Sequence, residues 1–368
     1  MKQITASLTA FVSELGLAPP ARARILPALE TLALGTAGGL VFLWAHLPGG
    51  LISGAMVATG IAAIAGRPLS VPPIVTQAVL VVLGISIGSV VSRQLIQHVS
   101  AYPLTIGLLA LATFCSTFAS SLYLQGVHGW DRTSAFLAGS PGALSQITIL
   151  AVERGADLPA IAVVQTMRVI ILTAALPLVL AATGVAPASG SGVTLSTASP
   201  LQLSVLVVAS LALALLLRLM KFPASWMFGA MIASSVLHGT GLVDGGVPPW
   251  VRSVALIGIG ALIGSRFARM RPRVLLGHIN AALGSFAVAI AISGVFVAII
   301  ALTTQVRLSD TVVAFAPGAM DAMLALALTL HIDPIFVGAH HLSRFVFVTI
   351  ATPGIVHLFG RTQDDVDD

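Results

Sequence analysis

Charged side chains are scarce in this sequence of 368 residues: Asp, Glu, Lys and Arg make up 8% of it. A soluble domain carries about 25% charged residues, and a chain with so few could not cover a water-facing surface. The single cysteine, Cys115, lies inside an apolar run, which excludes a disulfide framework. The sequence also lacks a His, Cys and Glu set at metal-ligand spacing, a nucleophile elbow and a phosphate-binding loop. It therefore predicts no enzyme and no cofactor.

Apolar residues are abundant instead, at 57% of the sequence, and the mean hydropathy is +1.02. Apolar stretches long enough to cross a bilayer, roughly 20 residues each, recur along the whole chain. Their backbone groups must be paired internally, which predicts an all-α integral membrane protein. The net charge of +5 comes from basic residues scattered between apolar spans, a pattern that sets orientation in the membrane. The predicted partner is thus the lipid bilayer, and no nucleic acid is expected.

The two halves of the chain repeat each other at a shift of 176 positions. Pro72-Pro73 falls on Pro248-Pro249, and Arg168 falls on Arg344. Two glycine pairs also match, and their four-residue spacing predicts close helix packing: Gly84 with Gly88, and Gly260 with Gly264. The predicted organisation is an N-terminal interfacial segment (1–24), membrane repeat 1 (25–183), a linker (184–200), membrane repeat 2 (201–358) and an acidic C-terminal tail (359–368).

The basic residues predict that the repeats are inverted relative to each other. The densest cluster, at 266–273, has four arginines and is predicted to be cytoplasmic, whereas its repeat equivalent, 90–97, holds only Arg93. Inversion needs an odd number of crossings, so each repeat would have five transmembrane helices plus one re-entrant or broken helix. The total is ten crossings with both termini in the cytoplasm. If the broken segments cross instead, twelve spans and parallel repeats result.

Each repeat contains one segment interrupted by a Pro-Gly pair, Pro141-Gly142 in the first and Pro317-Gly318 in the second. Irregular backbone at membrane depth is tolerated only where it is buried in protein or lines a cavity. The helix that starts after each break would also direct N–H groups inward, which favours an anion. Alternatively, Pro-Gly merely ends a helix. Polar residues beside the breaks favour a substrate site, namely Ser140, Ser145, Gln146 and Asp321.

Arg168 and Arg344 lie ten residues into the closing helices, about 15 Å along each and near the bilayer midplane. A charge at that depth requires a compensating partner. Each guanidinium is predicted to bind an anionic substrate group, because its fork matches a carboxylate. The alternative is an internal ion pair or carbonyl contact that only locks a helix.

Other polar side chains extend this candidate site. Asp321, which falls on Ser145 in the repeat, is a candidate for ion coupling, a helix N-terminal acid or the partner of an arginine. His340 is a second candidate for ion coupling. His341 falls on Gln165 in the repeat, and His341 and Gln165 are predicted to line the substrate site. A polar lining role suits the two histidines equally well. Asp157 and Asp333 precede the closing helices and are predicted N-caps.

The duplicated cores resemble those of the bacterial membrane family called AbrB, which is unrelated to the soluble DNA-binding regulator of that name. They are SAFLAGSPGALSQ (Ser134 to Gln146) and TVVAFAPGAMDAM (Thr311 to Met323). The family hallmark is Pro-Gly-Gly or Pro-Gly-Ala, then a hydrophobic residue and Ser or Asp, in both repeats. This chain has Gly-Ala at each break. The resemblance implies kinship with inverted-repeat carriers, although some members carry the label of gene regulator.

Together these features predict a secondary active transporter for a small organic anion, coupled to protons or sodium by alternating access. The predicted location is the bacterial inner membrane, with several crossings. The alternatives are a membrane-embedded regulator of gene expression, as the family name suggests, and a channel. A homodimer is left open.

Overall fold

The computed structural model describes residues 22–89, 102–141, 144–185, 196–270 and 272–359. Most of the predicted interfacial segment, linker and acidic tail lies outside these ranges, as does the loop with Arg93. The described helices are α1 (Arg22–Trp44), α2 (Gly50–Ile64), α3 (Pro73–Gly88), α4 (Tyr102–His128), α5 (Arg132–Gly139), α6 (Leu144–Glu153), α7 (Leu158–Ala182), α8 (Pro200–Leu219), α9 (Ser225–Gly239), α10 (Pro249–Ser265), α11 (Pro272–Thr303), α12 (Leu308–Phe315), α13 (Met320–Thr329) and α14 (Pro334–Phe359).

Helix starts follow local rules that the sequence displays. α3 and α10 each begin at the second proline of a Pro-Pro pair, where the missing N–H costs no helical hydrogen bond. α8 begins with a capping box, in which Ser199 accepts from the backbone of Gln202 and Gln202 accepts from the backbone of Ser199. These local signals explain why the three helices begin at the residues observed.

Seven of the described helices are long and apolar enough to span a bilayer: α1, α4, α7, α8, α10, α11 and α14. The prediction of an all-α membrane protein is confirmed. α2, α3 and α9 have 15, 16 and 15 residues and are shorter than the roughly 20 residues that a full crossing requires. The count of ten crossings and the inversion of the repeats therefore stay predictions.

The chain forms two compact units, and each is made from parts of both sequence repeats. Unit one comprises Met1–Ser92 and Ser189–Arg269, and unit two comprises Arg93–Ala188 and Met270–Asp368. The first three helices of each repeat thus belong to unit one. The two broken segments and both closing helices belong to unit two.

In unit one, each repeat packs its glycine-bearing helix on a helix of the other repeat. α3 lies on α9, where a Cβ at Gly84 or Gly88 would collide with the backbone of α9. α10 lies on α2 in the same way through Gly260 and Gly264. The atoms approached are equivalent in the two cases, because Met231 corresponds to Met56 at the shift of 175 seen here. The predicted role of these glycines in close helix packing is confirmed.

In unit two, the long helix α11 packs against α4 and α7, and α12 packs against α11 and α14. The broken segments also cross between repeats, since α5 contacts α14 and α13 contacts α7. Each closing helix is therefore touched by broken segments from both repeats, which makes unit two the frame of the candidate site.

Candidate functional site

Both Pro-Gly segments are broken in the middle. α5 ends at Gly139 and α6 begins at Leu144, while α12 ends at Phe315 and α13 begins at Met320. The arms have 8 and 10 residues in each segment, too few to cross a bilayer singly. The split itself agrees with the prediction from sequence. The return of both arms to the same side of the membrane, as in a re-entrant segment, remains a prediction.

Arg168 is 3% exposed and directs its guanidinium at the carboxyl end of α5. Its Nη1 donates to the carbonyl of Gly139 at 3.1 Å, and its Nη2 donates to those of Ala138 and Ser140 at 3.3 Å. The last carbonyls of a helix have no partner within the helix, and this end of the helix is negative. The arginine therefore satisfies the broken end of α5 and compensates its dipole.

Arg344, which is 4% exposed, does the same at the second break. Nη1 donates to the carbonyl of Ala316 at 2.7 Å, and Nη2 donates to that of Gly318 at 3.1 Å and to Nδ1 of His341. Ala316 is the repeat equivalent of Ser140. These contacts correspond to the carbonyl-contact alternative for the two arginines. The binding of a substrate anion by them stays a prediction.

Gln165 and His341 support the same carbonyl ends from one turn earlier. Nε2 of Gln165 donates to the carbonyls of Leu137 at 3.0 Å and Ser140 at 2.8 Å. His341 contacts the carbonyl of Val313 through Nε2 at 3.1 Å, so this nitrogen carries the hydrogen and Nδ1 accepts from the arginine. Val313 is the repeat equivalent of Leu137. Both side chains thus line the breaks as polar supports.

Each of the two breaks carries one buried arginine, and both arginines belong to unit two. Ion pairs of the described residues include Arg67 with Glu30 and Arg307 with Asp310. Neither buried arginine is paired with a described carboxylate. The carbonyl dipoles at the ends of α5 and α12 therefore stabilise the two charges without neutralising them.

The remaining predicted residues are distributed along the breaks. Ser140 and Pro317 are buried, and Pro141 and Gly318 are half-buried. Asp321 is half-buried in the first turn of α13 and has a polar partner there. Gly142 lies outside the described residues. Ser145 and Gln146 belong to α6, but their side chains fall outside the description.

His340 is fully buried and does not face the arginine-held carbonyls. Its Nδ1 donates to the carbonyl of Phe336 at 2.7 Å, and its Nε2 is 2.8 Å from Oγ1 of Thr105. The Thr105 hydroxyl also lies 3.2 Å from the carbonyl of Tyr102. The Thr105 hydroxyl can either donate to Nε2 of His340 or accept from it, which is compatible with the predicted role of His340 in ion coupling. That role stays a prediction.

Asp157 and Asp333 cap the closing helices as predicted. Oδ1 of Asp157 accepts from the backbone N–H of Ala160 at 3.0 Å, and Oδ1 of Asp333 accepts from Ile335 and Phe336 at 2.9 and 3.1 Å. The N–H of each aspartate is itself bound by a side chain of the first arm. That side chain is Ser134 in repeat 1 and Asp310 in repeat 2.

Asp310 was not among the site residues predicted from the sequence, because that prediction rested on the Pro-Gly pairs and the arginines. The signal was present, because Asp310 falls on Ser134 at the same shift that aligned Asp321 with Ser145. A serine replaced by a carboxylate in one repeat breaks the symmetry at both places. Only the fold shows that Asp310 lies against Asp333, 23 residues away.

One cavity of about 280 Å³ in unit two lies between α4, α5 and α14. It is lined mainly by apolar side chains such as Phe118, Phe136 and Ile355, with Arg132 and Gln125 as polar members. It contains none of the predicted site residues. Within the described ranges, no three His, Cys, Asp or Glu side chains are grouped to hold a metal ion.

Comparison with known proteins places the chain in context. Residues 51–360 match the family model described as transition state regulatory protein AbrB. The chain is 26% identical to the uncharacterized protein YhjN of Bacillus subtilis (strain 168) over 308 residues, which is 77% of this chain and 79% of the relative. It is 23% identical to the putative regulator AbrB of Escherichia coli (strain K12) over 317 residues, 85% of this chain and 91% of the relative.

Proposed function

This chain belongs to the AbrB family, and buried arginines bind the carbonyl ends of its two broken helices. We propose that it is a secondary active transporter. Its substrate would be a small organic anion, moved unchanged by alternating access and coupled to protons or sodium. The membrane would be the bacterial inner membrane. The observation that carries the proposal is the paired break, because irregular backbone within an apolar helix bundle is maintained at a cost and marks ligand pathways.

The electrostatics of the breaks support an anion as substrate. Two guanidinium groups are buried in unit two, and no described carboxylate is paired with either. The helix that follows the second break, α13, begins at Met320, and its N-cap residue Ala319 offers no side-chain cap, so the first N–H groups remain for a ligand. An anion at this point would be attracted by both charges and by the positive end of the helix.

The arginines would contribute mainly through charge and position in this proposal. Their hydrogen bonds keep the carbonyl ends of α5 and α12 in place, so the binding surface beside the breaks is preorganised. Asp321, in the first turn of α13, would adjust the net charge of the site or bind the coupling ion. Both roles for Asp321 remain part of the proposal.

The rival function is a membrane-embedded regulator, which the printed name of the Escherichia coli relative favours. Such a protein would bind a ligand at the same breaks without moving it across the membrane. A channel is the third candidate. Uptake into sealed vesicles separates the carrier from the regulator, and single-channel conductance in planar bilayers separates it from the channel.

The test is uptake of labelled mono-, di- and tricarboxylates into proteoliposomes under an imposed pH or sodium gradient. We expect at least one acid to accumulate, and Arg344→Ala to reduce its uptake at least about tenfold, equivalent to about 1.4 kcal/mol of binding. Arg344→Lys keeps the charge but loses the planar fork, and should retain part of the activity. Arg252→Ala removes an exposed arginine of α10 and serves as the control.

The outcome that contradicts the site is equal uptake by wild type and Arg344→Ala for every acid that moves. Absence of uptake for all acids under both gradients, with binding of an acid retained, would support the regulator instead.

A further inference from the structure

The amino end of α14 holds two buried carboxylates side by side in repeat 2. Asp333 is 6% exposed and Asp310 is 4% exposed. Oδ1 of Asp310 accepts from the backbone N–H of Asp333 at 3.2 Å. In repeat 1 the same place is taken by Ser134, whose Oγ accepts from the N–H of Asp157 at 2.8 Å. The backbone arrangement therefore needs only a hydroxyl, and the second carboxylate serves some other purpose.

The charges around the pair do not balance. Arg307 donates from Nε to Oδ2 of Asp310 at 2.9 Å, and Oγ of Ser309 is 3.4 Å from Oδ1. Of the helices packed against this end, α4 contributes Tyr102 and α14 contributes His340, whose Nδ1 is occupied by a carbonyl. Among the described groups in contact with the pair, one arginine faces two aspartates, which leaves a single negative charge in a buried place. Two neighbouring carboxylates in such a place do not both ionise readily.

Burial, and to a smaller extent the neighbouring Asp310, raises the pKa of Asp333 above its ordinary value. Its backbone hydrogen bonds and Arg307 act in the opposite direction. Arg307 is 54% exposed along its side chain and touches Asp310, so the pair lies next to the protein surface on that side. A proton can therefore reach it.

Tyr102 provides an independent sign that the place is built for a ligand. The side chain is 8% exposed, and its hydroxyl has no hydrogen-bond partner among the described residues. Its ring packs edge-on against Phe336 at 5.5 Å between centroids, and the N–H of Phe336 binds Asp333. Both carboxylates act electrostatically on the phenol. A buried donor without a partner is costly, so this hydroxyl is an uncommitted donor near the two carboxylates.

We propose that Asp310 and Asp333 form a proton-binding site that holds one exchangeable proton, with the Tyr102 hydroxyl as an uncommitted donor for the carboxylate left ionised. Binding forms one O–H bond on a carboxylate oxygen, and release returns that proton to solvent beside Arg307. A role for this site in supplying the coupling proton rests on the proposed transport function. The site itself does not.

The experiment is infrared spectroscopy of the purified full-length protein, titrated with acid and base in sodium-free buffer. The C=O stretch of a protonated carboxyl group should appear as pH falls, at a higher pH than the bands of exposed carboxyl groups, because the pKa of Asp333 is raised. Asp333→Asn should lose this signal while keeping the helix cap, because an amide oxygen also accepts the two N–H bonds. Asp157→Asn, at the cap of repeat 1 with no second carboxylate in the pair, is the matched control and should leave the signal unchanged.

Two further variants test the partners. Asp310→Ser gives repeat 2 the arrangement already present in repeat 1, so the fold should persist. It should move the titration of Asp333 to lower pH, because the repelling charge is gone. Tyr102→Phe should move the titration to higher pH, because the ionised form loses a donor.

The proposal is overturned if the wild type shows no carboxyl group that is protonated at a higher pH than the exposed carboxyl groups. It is also overturned if that signal survives both Asp333→Asn and Asp310→Ser. Loss of the signal on adding sodium chloride at constant pH would also overturn it and indicate a sodium site. Failure of anion uptake leaves the infrared result unaffected, so the two proposals fail separately. Persistent pH-driven uptake by Asp333→Asn would remove only the coupling role.

Discussion

Arg168 and Arg344 place a fixed positive charge at the point where an apolar helix is interrupted. Each guanidinium binds the carbonyls that end the first arm, and the repeat equivalents Ser140 and Ala316 receive matching hydrogen bonds. An ion pair would neutralise the charge, whereas carbonyl dipoles leave most of it available to a ligand. The same contact can therefore hold the backbone and attract an anion, so the two interpretations of these arginines do not exclude each other.

Substitution of a single glycine should show how tightly unit one is packed. Gly264→Ala would place a methyl group against the Thr59 side chain and the backbone of α2, and we expect a loss of about 1–3 kcal/mol in stability. Gly277→Ala on α11 meets no atom within 4 Å and should be neutral or slightly stabilising, because glycine inside a helix is unfavourable. Thermal unfolding followed by tryptophan fluorescence in detergent measures both. Equal melting temperatures for the two variants would contradict the packing.

The arms α5 and α12 are short helices whose carboxyl ends depend on side chains from the closing helices. Each has 8 residues, which is below the length at which an isolated helix is stable. Their stability therefore comes from packing and from the hydrogen bonds of Arg168, Gln165, Arg344 and His341. An element of this kind is expected to loosen when one such contact is removed, without unfolding of the whole unit.

Arg168→Met tests this dependence. The variant leaves the carbonyls of Ala138 and Gly139 without their buried donor, at about 1–3 kcal/mol for each unsatisfied group. Hydrogen exchange measured by mass spectrometry should become faster in the peptide covering α5, while peptides of α8 and α9 in unit one stay unchanged. Arg252→Met is the matched control on an exposed arginine. Unchanged exchange in α5 would show that packing alone holds the arm.

Each compact unit takes elements from both repeats, so neither repeat can complete a unit alone. α3 needs α9 and α10 needs α2 in unit one, while α11 lies against α4 and α7 in unit two. Such exchange follows from duplication when each half leaves an apolar face that only the other half covers.

Cutting the chain at residue 190 gives a direct test of this exchange. Two fragments, 1–190 and 191–368, expressed together should associate in the membrane, so an affinity tag on one should recover the other. Expressed singly, each should be degraded or aggregate, because the surfaces of α3 and α10 stay uncovered. Purification of either fragment alone as a folded monomer would contradict the exchange.

Hydropathy, proline placement and the duplication were sufficient to predict the membrane class and the two breaks. These features are local, because a lipid-exposed helix must satisfy its own backbone and must be long and apolar in sequence. The glycine pairs and the N-caps at Asp157 and Asp333 were predictable for the same reason.

Which residues meet across the fold was decided by tertiary structure. The sequence placed a carboxylate at position 310 and another at 333, but only the packing of α12 on α14 joins them, and only α4 brings Tyr102 beside them. The same holds for the carbonyl partners of the two arginines. Periodicity records which face of a helix is apolar, whereas the partner of a buried polar atom depends on how distant helices cross.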